Sequence, residues 1–467
     1  MGSHFPRVSF ALLFASMAWM AEGQSTDYDK KIGAEAADQV LRTKGVYDDP
    51  QLEKFLQGLG ARLVEQLGTQ PFTYLFRVSD EADPNAYALP GGFVFATRGI
   101  FAVAASEDEL AGVLGHEVIH SDRRHAVKAM RHSILPGILA VPGALAGVFS
   151  EEAGKVLSAP SSMAMAKYSR KNEDEADRLG TALAAKAGYD PLALRRCLTR
   201  LSKTVEAFTG EKEKGGFFAD HPSTPERDAE IAKLAASLQR GTAHPVLPSR
   251  EAYLKLIDGL VVGKNPAQGL FEKNVFTHAD LNFRMEMPEG WKTFNTVSAF
   301  GAYHEKGKGQ LLVGLAEGRD PELAGRETAG QIEVKAKMKP VEARRLEVNG
   351  YPAFYVLFVH KKSNLHMLWV SMGGKMFRMA GIGVDEYMQA LKTSVGSLRP
   401  LTAGERAAVK VTRLRLVAAK AGESVEAFSK RTGNTMKPAL TEALNDLDGA
   451  PLKDGQVLKI VRSEAYR

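Results

Sequence analysis

Two histidines four residues apart, with a glutamate beside the first, occupy Gly115-His116-Glu117-Val118-Ile119-His120. On a helix of 3.6 residues per turn, positions i and i+4 share a face. His116 and His120 can therefore each offer a ring nitrogen to one tetrahedral metal. Glu117 lies one step round, beside the position that such a metal leaves open. There it could take a proton from a water whose pKa the metal lowers to roughly 7, and pass it later to a leaving amine. That chemistry is metal-assisted amide hydrolysis, with Glu117 as the candidate catalytic residue. Five letters can also be a solvated helix face, so a third ligand has to decide. The segment Tyr168-Ser169-Arg170-Lys171-Asn172-Glu173-Asp174-Glu175-Ala176-Asp177 supplies an E-x-x-x-D pattern. A carboxylate is a usual third ligand beside two histidines, and Glu173 fills that role in kind. Asp177, one turn on, shares its face and could accept the other ring N–H of a metal-bound histidine. Glu175 points elsewhere on the same helix.

These residues need helices to carry them. The apolar stretch around Leu110 predicts a helix through His116 and His120, and a second helical stretch holds Glu173 and Asp177. Ala88 to Thr97 reads as a turn leading into a short strand. In Asp220-His221-Pro222-Ser223-Thr224-Pro225-Glu226-Arg227, Ser223 or Thr224 can cap a helix running to about Leu238, and Pro225 suits its first turn. His221 thus sits just ahead of a helix start.

From Gly45 to about Leu238 the chain resembles the zinc peptidase family that contains HtpX, the CAAX prenyl proteases and the periplasmic BepA group. The matching text is Asp49-Pro50-Gln51-Leu52, Asn85-Ala86-Tyr87-Ala88-Leu89-Pro90-Gly91-Gly92, Ser106-Glu107-Asp108-Glu109-Leu110, His116 to His120 followed by Arg124-His125, and Ser169-Arg170 ahead of Glu173 and Asp177. The resemblance implies one zinc ion per chain, ligated by His116, His120 and Glu173, with Glu117 as general base. It implies a mostly helical zincin-type (gluzincin) domain with a small edge-strand sheet. Gly92, Phe93, Val94 and Phe95 would be the substrate edge strand, holding an extended peptide through main-chain hydrogen bonds; a buried hairpin strand is the other reading. The His-Pro-x-x-x-x-Arg pattern resembles the BepA group, which makes His221 a candidate inhibitory fourth ligand that displaces the catalytic water.

The chain has 467 residues, 44% hydrophobic and 25% charged, with 61 basic against 55 acidic side chains. This is the composition of a globular protein of two or three domains. The surplus of +6 is spread out, which argues against nucleic acid and weakly for an anionic envelope surface. Residues 1–23 read as an export signal, with Arg7 ahead of the apolar run Val8 to Ala21. The expected location is periplasmic or otherwise exported, with at most peripheral membrane contact. A second apolar run, Ile134 to Phe149, is broken by Pro136-Gly137 and Pro142-Gly143 and reads as a buried helical hairpin or a cleft cover. Cys197 is the only cysteine, so no intramolecular disulfide can form; it reads as a helix core position.

The domain plan expected is α+β: a peptidase domain over 24–245, a linker helix within 246–267, an α+β domain over 268–400, and a small module over 401–467. Strand candidates in the third part flank Asn349-Gly350, a hairpin signal, and the arrangement is loosely similar to PsbP or Mog-like sandwiches. The last part, with Gly422-Glu423-Ser424 and Leu452 to Ile460, resembles a LysM domain of β-α-α-β order. That resemblance implies peptidoglycan as a partner beside protein or peptide substrates. Misfolded or unassembled envelope proteins are the substrates the reading points to. The rival classes are a chaperone-like assembly factor and a peptidoglycan-binding regulatory protein.

Overall fold

A computed structural model describes residues 25–133, 168–212, 215–222, 224–242, 245–305, 309–360, 363–383 and 385–466. The signal segment 1–23 and the run Ile134 to Phe149 lie outside the described residues. Among the described residues, no helix is long and apolar enough to cross a membrane.

The first unit contains α1 (Thr26–Thr43), α2 (Pro50–Val64), β1 (Leu75–Ser79), β2 (Ala86–Leu89), β3 (Phe93–Thr97), α3 (Arg98–Val103) and α4 (Glu107–Asp122). It continues through α5 (His125–Ser133), α6 (Arg170–Lys186), α7 (Ala193–Thr209), α8 (Phe217–Asp220), α9 (Pro225–Ser237) and α10 (Arg250–Ile257). The helix α4 starts where Ser106 Oγ accepts the Glu109 N–H at 3.4 Å, and Glu107, Asp108 and Glu109 complement its N-terminal dipole. Nearly every residue from Glu107 to Ser121 is buried, so α4 is the central rod of the unit. Leu110, Val113, Leu114 and Val118 pack with Phe55, Leu59, Phe101, Leu194 and Cys197 in one core. The buried Cys197 sits in that core, as its neighbours predict.

Two glycines decide how α6 meets α4. A Cβ on Gly115 would lie 2.8 Å from the Gly180 carbonyl oxygen, and one on Gly180 would lie 2.7 Å from the His116 nitrogen. Only a glycine pair lets the two backbones come this close, and the approach sets Glu173 and Asp177 of α6 against His116 and His120 of α4.

The small sheet has the order β1-β3-β2, with β3 parallel to β1 and antiparallel to β2. The strand expected at the edge is therefore the central one: Val94 and Phe95 are buried between two partners, and the hairpin reading holds. Position in a sheet depends on which segments pair, and Leu75–Ser79 supplies the second partner from outside the motif. Among the described residues β2 has β3 as its one strand partner, and its other edge lies next to α4. Just ahead of β2 the Asn85 carbonyl accepts the Thr97 N–H at 2.9 Å, so in the alternating antiparallel ladder the backbone groups of Tyr87 and Leu89 face β3. The backbone groups of Ala86 and Ala88 face away from it.

The second unit has β4 (Leu270–Glu272), β5 (Val275–His278) and β6 (Phe283–Glu286) as one sheet. A seven-stranded antiparallel sheet follows, built from β7 (Lys292–Asn295), β8 (Ala299–Tyr303), β9 (Gly309–Ala316), β10 (Glu342–Val348), β11 (Tyr351–His360), β12 (Ser363–Met372) and β13 (Lys375–Gly383). Its order is β10-β11-β12-β13-β9-β8-β7, with α11 (Pro321–Ala336) packing Ile332 on Phe354 and Trp369 of one face. Asn349 and Gly350 both take positive φ, 52° and 77°, and make the tight β10–β11 turn that their sequence predicts. The apolar run from Val275 to Met285 is two strands, divided by a turn in which Asn282 has φ 57°.

The chain closes with α12 (Met388–Gly396), α13 (Ala403–Ala408), β14 (Lys410–Ala418), α14 (Val425–Thr432), α15 (Pro438–Asn445) and β15 (Val457–Ala465). The β-α-α-β order matches the expectation, and β14 and β15 pair antiparallel. This module shares the first unit's core through Val411, Leu414 and Leu444. Residues 260–262 add to the β14 edge: Leu414 N–H donates to Leu260 at 2.8 Å and Val262 N–H to Thr412 at 2.9 Å. Between the units, Lys459 Nζ donates to the carbonyls of Ala102, Val103 and Ala104 at 2.8, 2.9 and 3.2 Å. The helix α10, expected within a linker, buries Tyr253 and Ile257, and the Tyr253 hydroxyl donates to the Phe101 carbonyl at 2.9 Å.

Candidate metal centre

Four buried ligand atoms from His116, His120, Glu173 and His221 lie within 4.8 Å of one another, a grouping found once among the described residues. His120 Nε2 is 2.9 Å from His116 Nε2, and His116 Nε2 is 3.1 Å from His221 Nδ1. The Glu173 carboxylate closes the set, with oxygens 3.1 Å from His221 Nδ1, 3.4 Å from His120 Nε2 and 3.6 Å from His116 Nε2. A tetrahedral zinc with Zn–N near 2.0–2.1 Å spaces its ligand atoms by roughly 3.3 Å. The observed separations bracket that value, and three nitrogens and a carboxylate are a zinc donor set.

The sequence-predicted residues thus meet. His116 and His120 come from consecutive turns of α4, Glu173 from the first turn of α6, and His221 from the residue after the short helix α8. The helix α9 after it starts at Pro225 with Thr224 Oγ1 accepting the Arg227 N–H at 3.1 Å, as its sequence predicts. His221 is held by a stack on Phe217, ring centroids 4.3 Å apart, and Phe217 N–H donates to the Pro84 carbonyl just ahead of β2. His221 Nε2 lies 3.5 Å from Glu117 Oε1, so one ring touches both the ligand set and the base.

Glu117 is fully buried, and among the described residues its carboxylate oxygens find no partner at full hydrogen-bond geometry. Burial raises its pKa, opposed by His221 and His116 and by the nearby Ala88 N–H. Glu173 behaves oppositely: burial works against its charge, but bonds from His120 and His221 hold its carboxyl well below the usual range. Burial, with the neighbouring His116, pushes His120 well below its ordinary value, so it stays neutral as a ligand requires.

Asp177 Oδ1 stands 2.9 Å from His116 Nδ1, on the ring's far side from the ligand cluster. Its anchor is Arg227, whose role no local spacing reveals. That buried guanidinium bonds both Asp177 oxygens, reaches Glu173 Oε2 at 3.1 Å and donates to the His221 and Pro222 carbonyls at 3.3 and 3.1 Å. The arginine of His-Pro-x-x-x-x-Arg was the available signal. Two more residues escaped it. Tyr168 stacks on His120 at 3.9 Å, and His125 Nδ1 lies 3.0 Å from His120 Nδ1.

Residues 50–235 match the model of Peptidase family M48 and carry a domain of that family. Over 171 residues the chain is 36% identical to a putative beta-barrel assembly-enhancing protease of Vibrio cholerae, covering 34% of each chain. With a beta-barrel assembly-enhancing protease of Yersinia pestis it shares 30% over 235 residues, 49% of this chain and 47% of that one. With the mitochondrial metalloendopeptidase OMA1 of Schizosaccharomyces pombe it shares 28% over 219 residues, 46% of this chain and 63% of the other. The chain therefore spans between about a third and under two thirds of these relatives' lengths. These matches bear out the family resemblance read from the motifs. A solved cyanobacterial PsbP from Synechocystis aligns over 30% of this chain and 99% of its own at 10% identity, but its TM-score of 0.24 decides nothing about the second unit.

Proposed function

We propose that this chain, with its Peptidase family M48 domain, is an exported zinc-dependent endopeptidase acting on misfolded or unassembled envelope proteins. The observation that carries the reading is Glu117 beside four convergent ligand atoms in one buried site. His116, His120 and Glu173 would hold the zinc, which when bound would act as the Lewis acid that lowers the pKa of water toward about 7. The chain's own groups do the remainder. Glu117 receives the proton at a carboxylate oxygen and returns it to the leaving nitrogen; burial raises its proton affinity, as suits a base working near neutral pH. Asp177 orients His116, and Arg227 orients Asp177.

The outer edge of β2 replaces β3 as the proposed peptide-binding edge. Its Ala86 and Ala88 backbone groups face away from β3, and the Ala88 N–H points toward Glu117. A latent state belongs to the same reading. His221 offers Nδ1 to the ligand set and Nε2 to Glu117, so seated there it blocks both the open metal position and the base. Relatives named beta-barrel assembly-enhancing protease support envelope substrates. The β-α-α-β order of residues 410–465 supports a LysM-like module, which sedimentation of the protein with purified peptidoglycan tests.

Metal content, measured together with cleavage of an unfolded model protein with and without chelator, tests the enzyme. Glu117→Gln should keep zinc and lose hydrolysis by about a hundredfold or more. Glu173→Ala should lose zinc. Near-normal turnover by Glu117→Gln would remove the mechanism.

A further inference from the structure

His120 meets the ligand cluster through Nε2, 2.9 Å from His116 Nε2 and 3.4 Å from Glu173 Oε1. A neutral imidazole that ligates through Nε2 carries its proton on Nδ1, and in a buried site that N–H needs an acceptor. The group facing it is His125 Nδ1, at 3.0 Å, on a side chain that is 1% exposed. His125 can accept there only as the tautomer protonated at Nε2. That atom lies 3.4 Å from Glu175 Oε2, an acceptor with no proton to give when ionised. Glu175 Oε1 in turn lies 3.7 Å from Arg123 Nε.

We infer that His125 is the positioning residue of the ligand His120, accepting the His120 Nδ1 proton while Glu175 fixes the His125 tautomer. The alternative order has His125 Nδ1 donating to His120 Nδ1. It would put the His120 proton on Nε2, aimed at His116, and close that nitrogen to a metal. Glu175 selects against it by holding the His125 proton on the other side. The two metal histidines then have matching supports: Asp177 with Arg227 behind His116, and His125 with Glu175 behind His120.

The backbone builds this contact at Arg124. On an uninterrupted helix, residue i+5 lies about 140° round from residue i, off its face. Arg124 instead takes φ 58°, ending the turn after α4 so that α5 starts at His125 with its ring back over His120. The left-handed residue is held by Asp29 of α1, whose buried carboxylate accepts from Arg124 Nε and Nη2 at 2.6 and 2.8 Å.

The inference rests on the zinc reading above, and its test is affinity for Zn2+ itself, measured on the full chain by competition with a chromophoric chelator. His125→Leu should weaken zinc binding by about 10–100-fold, the usual effect of losing such a support. His125→Gln, whose side-chain carbonyl can accept the same proton, should recover most of it. Glu175→Leu, at a side chain 34% exposed, should weaken binding by a smaller factor and Glu175→Gln should not. Parent-like affinity in His125→Leu overturns the inference, as does a Gln variant as weak as the Leu one, since that marks packing alone. Should His125→Leu not fold, parent-like affinity in Glu175→Leu overturns it instead. A parent chain that takes up no zinc removes the enzyme reading together with this one. A parent that binds tightly beside equally tight variants removes this one alone.

Discussion

Gly115 and Gly180 meet backbone to backbone, and their contact sets the distance between the two ligand helices. A Cβ on Gly180 would stand 2.7 Å from the His116 nitrogen, closer than side-chain atoms come to backbone. Gly180→Ala must push α6 off α4, at a cost of about 1–3 kcal/mol of stability. Glu173 moves with α6, so zinc affinity should fall in the same variant. Thermal melting with zinc titration checks both; unchanged zinc affinity would show that the ligands are placed by something other than this crossing.

His221→Ala should keep zinc on His116, His120 and Glu173 and raise basal proteolysis, including self-cleavage. The ring it removes touches both the ligand set and Glu117, so the variant frees two groups at once. Gly215 and Gly216 ahead of His221 both take positive φ, and such a pair would serve as the hinge that releases the ring. Lower activity at full zinc occupancy would make His221 a stabiliser of the reaction in place of a block.

Removing residues 401–467 should destabilise the peptidase unit. Val411, Leu414 and Leu444 belong to its core, and Arg200 of α7 bonds both Glu109 of α4 and Asp446 of the module. A truncated chain that melts and cleaves like the parent would show the module to be a passenger.

Burial, with the nearby Arg200 charge, pushes the Lys459 ammonium down to about 7. The unfolded lysine keeps its ordinary value of 10.5, so between these limits the unfolded chain binds a proton that the folded chain does not. Its contribution to stability therefore rises with pH across that window, by at most about 2 kcal/mol from pH 7 to 9. Lys459→Met lacks this dependence. Denaturant melts of both proteins at the two pH values should show the parent gaining on the variant; a constant difference would mean the ammonium stays charged among its three carbonyls.

The candidate ligands and the candidate base were legible in the sequence by itself. His116, Glu117, His120, Glu173 and Asp177 sit at helical spacings, and helical phase is a local property readable from residue numbers. The cap at Thr224, the Asn349-Gly350 turn and the core position of Cys197 were legible for the same reason. Tertiary structure decided what depends on distant partners. β3 became central because Leu75–Ser79 pairs with it, so the free edge passed to β2. His125 came to His120 because Arg124, tied to Asp29 nearly a hundred residues away, breaks the helical phase that would have kept the two rings apart. The C-terminal module joined the peptidase core because Leu414 and Lys459 find partners that no local pattern announces. Periodicity records which face a residue occupies; only the packed chain determines what that face meets.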